Sequence, residues 1–218
     1  MSKAILILGE SGTGKSTSIR NLPHEETFII NVNDRKLPFK SKNKYVLAEN
    51  GAGNYIVSDN ADKIIATLIY LNNKRTEIKN IILDDFTYTF INNFMRRAKD
   101  KGYDKFTDIA SDVWKIFNAI KALRDDLFVF VMMHTEIDNQ GRYKPKTVGK
   151  LMDSNNLIEG AFDWVFHSLI LDERHVFLTN NDGTHMAHTT MGMFEDKYIE
   201  NDLQLIKQTI ETYINDEE

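Results

Sequence analysis

The chain has 218 residues, 42% of them hydrophobic and 27% charged, with a formal net charge of −5. That is enough chain for one α/β domain with a sizeable core. There is no cysteine, which excludes disulfides, thiolate metal sites and thiol nucleophiles and fits a reducing cytoplasm; the negative balance confines any nucleic-acid contact to local basic patches.

Residues 4–8 form a short, wholly apolar run, the pattern of a strand buried on both faces. It leads into Gly9-Glu10-Ser11-Gly12-Thr13-Gly14-Lys15-Ser16, a full match to G-x-x-x-x-G-K-[ST]. Residues 17–22 are expected as a helix that Pro23 stops. Strand, loop and helix together predict a phosphate cradle. Glycines let the loop backbone approach phosphate oxygens without Cβ clashes, and the loop N–H groups form an anion-binding nest. Lys15 is expected to reach the β- and γ-phosphates, Ser16 to offer its hydroxyl to Mg²⁺, and Thr17 to lie nearer the α-phosphate. No signal peptide is expected before a motif that starts so early, and no apolar run reaches the length of a membrane span.

Residues 27–32 read as a second strand. Arg35, Lys36, Lys40, Lys42 and Lys44 then crowd a segment with no acid. That is either a solvated loop or a contact for a phosphate backbone or nucleotide. Ser58 or Asp59 is expected to cap a helix reaching about residue 73. Residues 78–83 form an apolar strand that delivers Asp84-Asp85 to the sheet edge. Asp84 is expected to hold a magnesium-bound water beside Ser16. Asp85 either orients or deprotonates an attacking water, or it caps the next helix.

Helices are expected over residues 86–101 and 105–123, the second with a buried stripe at Ile109, Val113, Ile116, Phe117 and Ile120. Residues 127–133 read as another central strand, and His134 just beyond it faces the ligand crevice or bonds at the strand end. Residues 135–150 read as a long polar loop carrying Arg142, Tyr143, Lys144, Lys146 and Lys150, either suited to a single strand of nucleic acid, suited to a neighbour's γ-phosphate, or a plain flexible loop. A short helix over 151–161 and a hairpin of 162–171 with 174–179 follow. His185 and His188 have helical spacing for metal ligands but no third ligand beside them. A last helix spans 201–214. No repeat or linker interrupts the chain, so a single domain over 1–218 is expected.

The loop GESGTGKS, the strands IILDD and VFVMMH, the polar loop beyond, the hairpin and MGMFEDKYIENDLQLI together resemble the phage RecA/Rad-like P-loop ATPases. These are phage nucleotide-binding or AAA-family proteins, and they include single-strand annealing recombinases of the fourth Sak class. The resemblance implies a RecA-like fold: a mostly parallel central sheet with helices on both faces and an edge hairpin. It implies that the strand ending at His134 lies between the phosphate-loop strand and the Asp84 strand. It implies ATP and Mg²⁺ as ligands, single-stranded DNA and a single-strand DNA-binding protein as partners, a homo-oligomer, no membrane, and the host cytoplasm. Asp34 is a stand-in for the family's water-activating acid and Asp85 its rival. His134 takes the place of a polar sensor, and a basic residue among Arg142, Lys144, Lys146 and Lys150 would act across an interface. A P-loop kinase of a small metabolite or nucleotide, and a non-enzymatic nucleotide switch, are the alternatives.

Overall fold

The computed structural model describes residues 1–149 and 158–217. Its first strand, β1 (Lys3–Gly9), shows why the opening run is apolar throughout. Side chains alternate between the faces of a sheet, so Ala4, Leu6 and Leu8 enter the core on one side and Ile5 and Ile7 the core on the other. A strand covered on both faces has no room for the polar half of an alternating pattern.

The remaining strands are β2 (Thr27–Asn31), β3 (Tyr55–Val57), β4 (Asn80–Asp84), β5 (Phe128–Ile137), β6 (Tyr143–Pro145), β7 (Trp164–Leu171), β8 (Arg174–Leu178) and β9 (Tyr198–Glu200). They form one sheet in the order β3-β2-β4-β5-β1-β7-β8-β9, with β6 paired to β5. Pairing is parallel from β3 to β7 and antiparallel in β7-β8-β9 and β5-β6. The strand ending at His134 does lie between β1 and β4. Three-residue strands stand at both edges, which limits exposed pairing groups.

Helices α1 (Ala61–Lys74), α2 (Thr87–Arg96) and α3 (Asp104–Lys121) cover one face, burying Ile64, Leu68, Phe90, Val113 and Phe117. The short helix Ser16–Asn21 and α4 (Leu203–Glu217) cover the other with Ile19, Leu203, Ile206 and Ile210. Helices thus lie on both faces, and the fold is that of a P-loop NTPase.

Local readings change in five places. The cap of α1 is Asn60, whose Oδ1 accepts the N–H of Lys63 at 2.9 Å; Asp59 instead receives hydrogen bonds from Asn92 and Arg96 on α2. The helix after the phosphate loop is a 3-10 helix, not an α-helix. The expected loop at 135–150 is largely a hairpin, because β5 runs on to Ile137 and pairs with β6. The expected edge hairpin gains a third strand, β9. The helix expected at 151–161 lies mostly outside the described residues; Glu159–Ala161 is a single 3-10 turn.

Candidate functional site

The phosphate loop leaves β1 at Gly9, level with His134 on β5 and against Ser168 on β7. A Cβ on Gly9 would stand 2.7 Å from the Ser168 carbonyl and 2.8 Å from Thr13 Oγ1, so only glycine lets the loop depart this close to β7. Gly14 has φ 104°, and a Cβ there would meet Asn201 Oδ1 at 3.0 Å and His175 Nδ1 at 3.1 Å. Both glycines make room for the C-terminal strands to hold the loop from behind.

That hold is specific. The Thr13 carbonyl accepts hydrogen bonds from Ser168 Oγ at 2.8 Å and from His175 Nδ1 at 2.9 Å. Asn201 Nδ2 donates to Ser168 Oγ at 3.1 Å. Arg20 donates to the Asn201 carbonyl, and Asn21 donates to Asp202. The loop and its 3-10 helix are therefore clamped by residues more than 150 positions downstream. None of Ser168, His175 or Asn201 carries a sequence signal that would have singled it out.

In front of the loop lies a cavity of about 210 Å³ lined by Ser11, Gly12, Gly14, Lys15, Ser16, Thr17, Arg35, Lys36, Pro38, Asp84, Asp85 and His134. Gly9, Glu10 and Thr13 are outside this lining, Gly9 and Thr13 buried and Glu10 exposed. Lys15 is buried, and its Nζ donates to the carbonyls of Gly9 at 2.8 Å and Glu10 at 2.7 Å. Burial pulls its pKa down to about 8 against the raising pull of Asp85 and Asp84. The chain thus holds a desolvated ammonium against its own loop, ready to exchange two carbonyls for phosphate oxygens.

Ser16 Oγ donates to Asp84 Oδ1 at 2.9 Å. Burial, then the charge of Asp85, pushes the Asp84 carboxyl up to about 6. Hydroxyl and carboxylate oxygen are the hard donors that Mg²⁺ takes alongside phosphate and water, so this pair fits the ion. A cation there would also relieve the desolvated carboxylate.

Adjacent residues on a strand point to opposite faces, yet Asp84 and Asp85 both line the cavity. The reason is that Asp85 lies past the strand end with φ 56°, a left-handed turn that swings its side chain back. Such strain in a non-glycine residue costs on the order of 1 kcal/mol and gathers at functional sites. His134 Nε2 lies 3.2 Å from Asp85 Oδ1. Burial raises the Asp85 pKa, but the His134 hydrogen bond and charge, with Arg35 and Lys15, outweigh it and leave the carboxyl lowered. The His134 backbone N–H donates to Thr87 Oγ1 at 2.8 Å, which fixes the ring's base.

Asp34 stands elsewhere. It is exposed and outside the cavity lining. Its own φ of 51° reverses the chain after β2 so that Arg35 and Lys36, not Asp34, line the cavity. A second cleft of about 570 Å³ shares Thr17 with the first and continues between the 3-10 helix and β8-β9, where Leu171, Val176, Tyr198 and Ile199 supply apolar walls.

The basic hairpin is engaged with itself. Arg142 pairs with Asp138 at 3.0 Å and Lys144 with Glu136 at 3.2 Å. Tyr143 stacks on His185 at 4.6 Å and meets His167 edge-on, and burial with the neighbouring His185 lowers the His167 pKa to about 3. Lys146 is exposed, and Lys150 lies outside the described residues. His185 and His188 sit in extended bridges rather than on a helix, and among the described residues no three His, Asp or Glu side chains converge as a metal cluster. Among the same residues, no helix is long and apolar enough to cross a membrane.

Compared with known families, residues 1–191 match the one described as AAA domain. The comparison with curated proteins returned no match.

Proposed function

The chain belongs to the AAA domain family, a P-loop nucleotide-binding family, and from that premise we propose that it is a slow ATPase serving recombination or annealing of single-stranded DNA, of the kind phages encode. The observation that carries the hydrolytic part is the Asp85–His134 pair at 3.2 Å facing Lys15 and Ser16 across one cavity.

A triphosphate in this cavity would turn its β- and γ-groups toward Lys15. The second cleft supports a nucleoside rather than a bare polyphosphate, because it shares Thr17 with the first and sets Leu171, Val176, Tyr198 and Ile199 beside polar groups such as Arg20 and Asn201. Ser16 and Asp84 would hold Mg²⁺, which when bound would supply charge neutralisation on the phosphates. Asp85, kept ionised, accepts a hydrogen bond from the attacking water or from His134 and fixes the direction of attack on the γ-phosphate. Lys15 neutralises charge as it develops on the phosphoryl oxygens. An aspartate at this place reaches less far than a glutamate, which is consistent with slow turnover.

The DNA part of the reading rests on the family resemblance and on exposed basic surface, and an oligomer follows because sites of this type are completed across an interface. ATP turnover with and without single-stranded DNA, with an assay for annealing of complementary strands, tests it. The reading expects DNA to raise turnover and nucleotide to alter annealing. Turnover indifferent to DNA, with no annealing, would remove the recombination role and leave a metabolic kinase or a nucleotide switch.

A further inference from the structure

The segment after β2 returns along the sheet edge and builds a groove of about 670 Å³ whose walls include Lys36, Lys40, Lys42, Lys44, Phe39 and Tyr45. We propose that this groove binds a single-stranded polynucleotide, its phosphates on the four lysines and its bases against Phe39 and Tyr45. The proposal deepens the DNA reading above and rests on it for the partner.

Charge is the first support. No acid occurs between Arg35 and Ala48, in a chain whose net charge is −5. All four lysines are exposed, and among the described residues none of them forms an ion pair. An unneutralised cationic strip on an acidic protein is a local attractor for polyanions. The hairpin around Arg142 offers a contrast, since Arg142 and Lys144 already have carboxylate partners and Tyr143 is stacked internally.

Shape is the second support. Phe39 and Tyr45 meet edge to face with ring centroids 6.3 Å apart, and both rest partly on the buried core. Tyr55, also on the groove wall, accepts a hydrogen bond from Asn31 Nδ2 at 2.6 Å. The result is a firm aromatic floor under a rim of flexible cations. Stacking on such a floor requires bases freed from a duplex, so single strands are the favoured form. Lys36 borders both this groove and the phosphate cavity, so strand and nucleotide meet at one side chain.

The test is fluorescence anisotropy with a labelled oligothymidine, comparing the wild type with Lys40→Glu/Lys42→Glu, Phe39→Ala and Arg142→Glu. A fluorescent ATP analogue is titrated into each. The double charge reversal is expected to weaken oligothymidine binding at least tenfold, Phe39→Ala several-fold and Arg142→Glu little, with ATP-analogue affinity unchanged throughout. Unchanged strand binding in the double variant, loss confined to Arg142→Glu, or equal affinity for a duplex would overturn the groove assignment while leaving the DNA reading in place. A wild type that binds the ATP analogue but no single strand would overturn both.

Discussion

Asp84 and Asp85 are neighbours in the chain, line the same cavity, and titrate in opposite directions. Burial drives the Asp84 carboxyl up to about 6, whereas His134, Arg35 and Lys15 bring Asp85 down against its own burial. Environments that push two carboxyls apart divide the labour between them. Asp84, facing Ser16, is suited to a cation. Asp85, facing His134, is suited to a permanent negative charge beside the attacking water.

Asp85→Asn is therefore expected to cut ATP turnover at least about 100-fold, in the range of lost general-base catalysis, while nucleotide affinity stays within a few-fold. Asp34→Asn is expected to leave turnover nearly unchanged, because Asp34 is exposed and outside the cavity lining. Steady-state turnover and analogue titration on both variants check this. A larger loss at position 34 would reverse the assignment.

Asp84→Asn should make the ligand-free protein more stable while abolishing magnesium-dependent nucleotide binding. The folded carboxyl binds its proton more tightly than the unfolded one, so the wild type loses stability as pH rises from 3.8 to about 6. Above that window the amide variant is expected to gain about 1–3 kcal/mol, several degrees in Tm. Thermal melts at pH 4 and pH 7 read the difference, which should nearly vanish at the lower pH.

Lys15 gives the opposite pH signature. Its folded pKa of about 8 lies below the ordinary 10.5, so the free protein carries a full ammonium only below pH 8. Nucleotide affinity is expected to hold steady up to about pH 8 and then fall, approaching tenfold per pH unit. Isothermal titration across pH 7 to 10 would show it, with Lys15→Arg expected to flatten the profile.

The clamp behind the loop predicts an effect at a distance from the phosphates. Ser168→Ala removes one of the two side-chain donors to the Thr13 carbonyl. A net loss of about 0.5–1.5 kcal/mol is expected for such a bond, or roughly 2- to 13-fold weaker nucleotide binding, with the sheet intact by circular dichroism. Gly14→Ala should be more severe, since its Cβ presses on Asn201 and His175 at φ 104°.

What the sequence made legible was local. Gly9 to Ser16 announces itself because phosphate binding needs consecutive backbone groups, so its residues must be contiguous. The buried strands before Gly9 and His134 were legible because a two-sided core demands unbroken apolar runs. The clamp was not, since Ser168 and His175, which reach the Thr13 carbonyl, and Asn201, which reaches Ser168, are ordinary polar residues brought together only by the sheet order β1-β7-β8-β9. The surroundings of Asp34 were hidden for a related reason. The family resemblance implies a water-activating acid after β2, and a left-handed backbone at Asp34 leaves that residue outside the cavity lining while the exposed Arg35 and Lys36 border it. The hairpin at Arg142 read as free positive charge because its carboxylate partners, Asp138 and Glu136, sit on the same turn and strand end.

The most direct test of the account is ATP turnover, with Mg²⁺, in the wild type and in Lys15→Ala. Slow phosphate release that disappears in the variant, together with loss of ATP-analogue binding, is the predicted result. Turnover or binding that survives Lys15→Ala unchanged would contradict the assignment of this cavity as the nucleotide site.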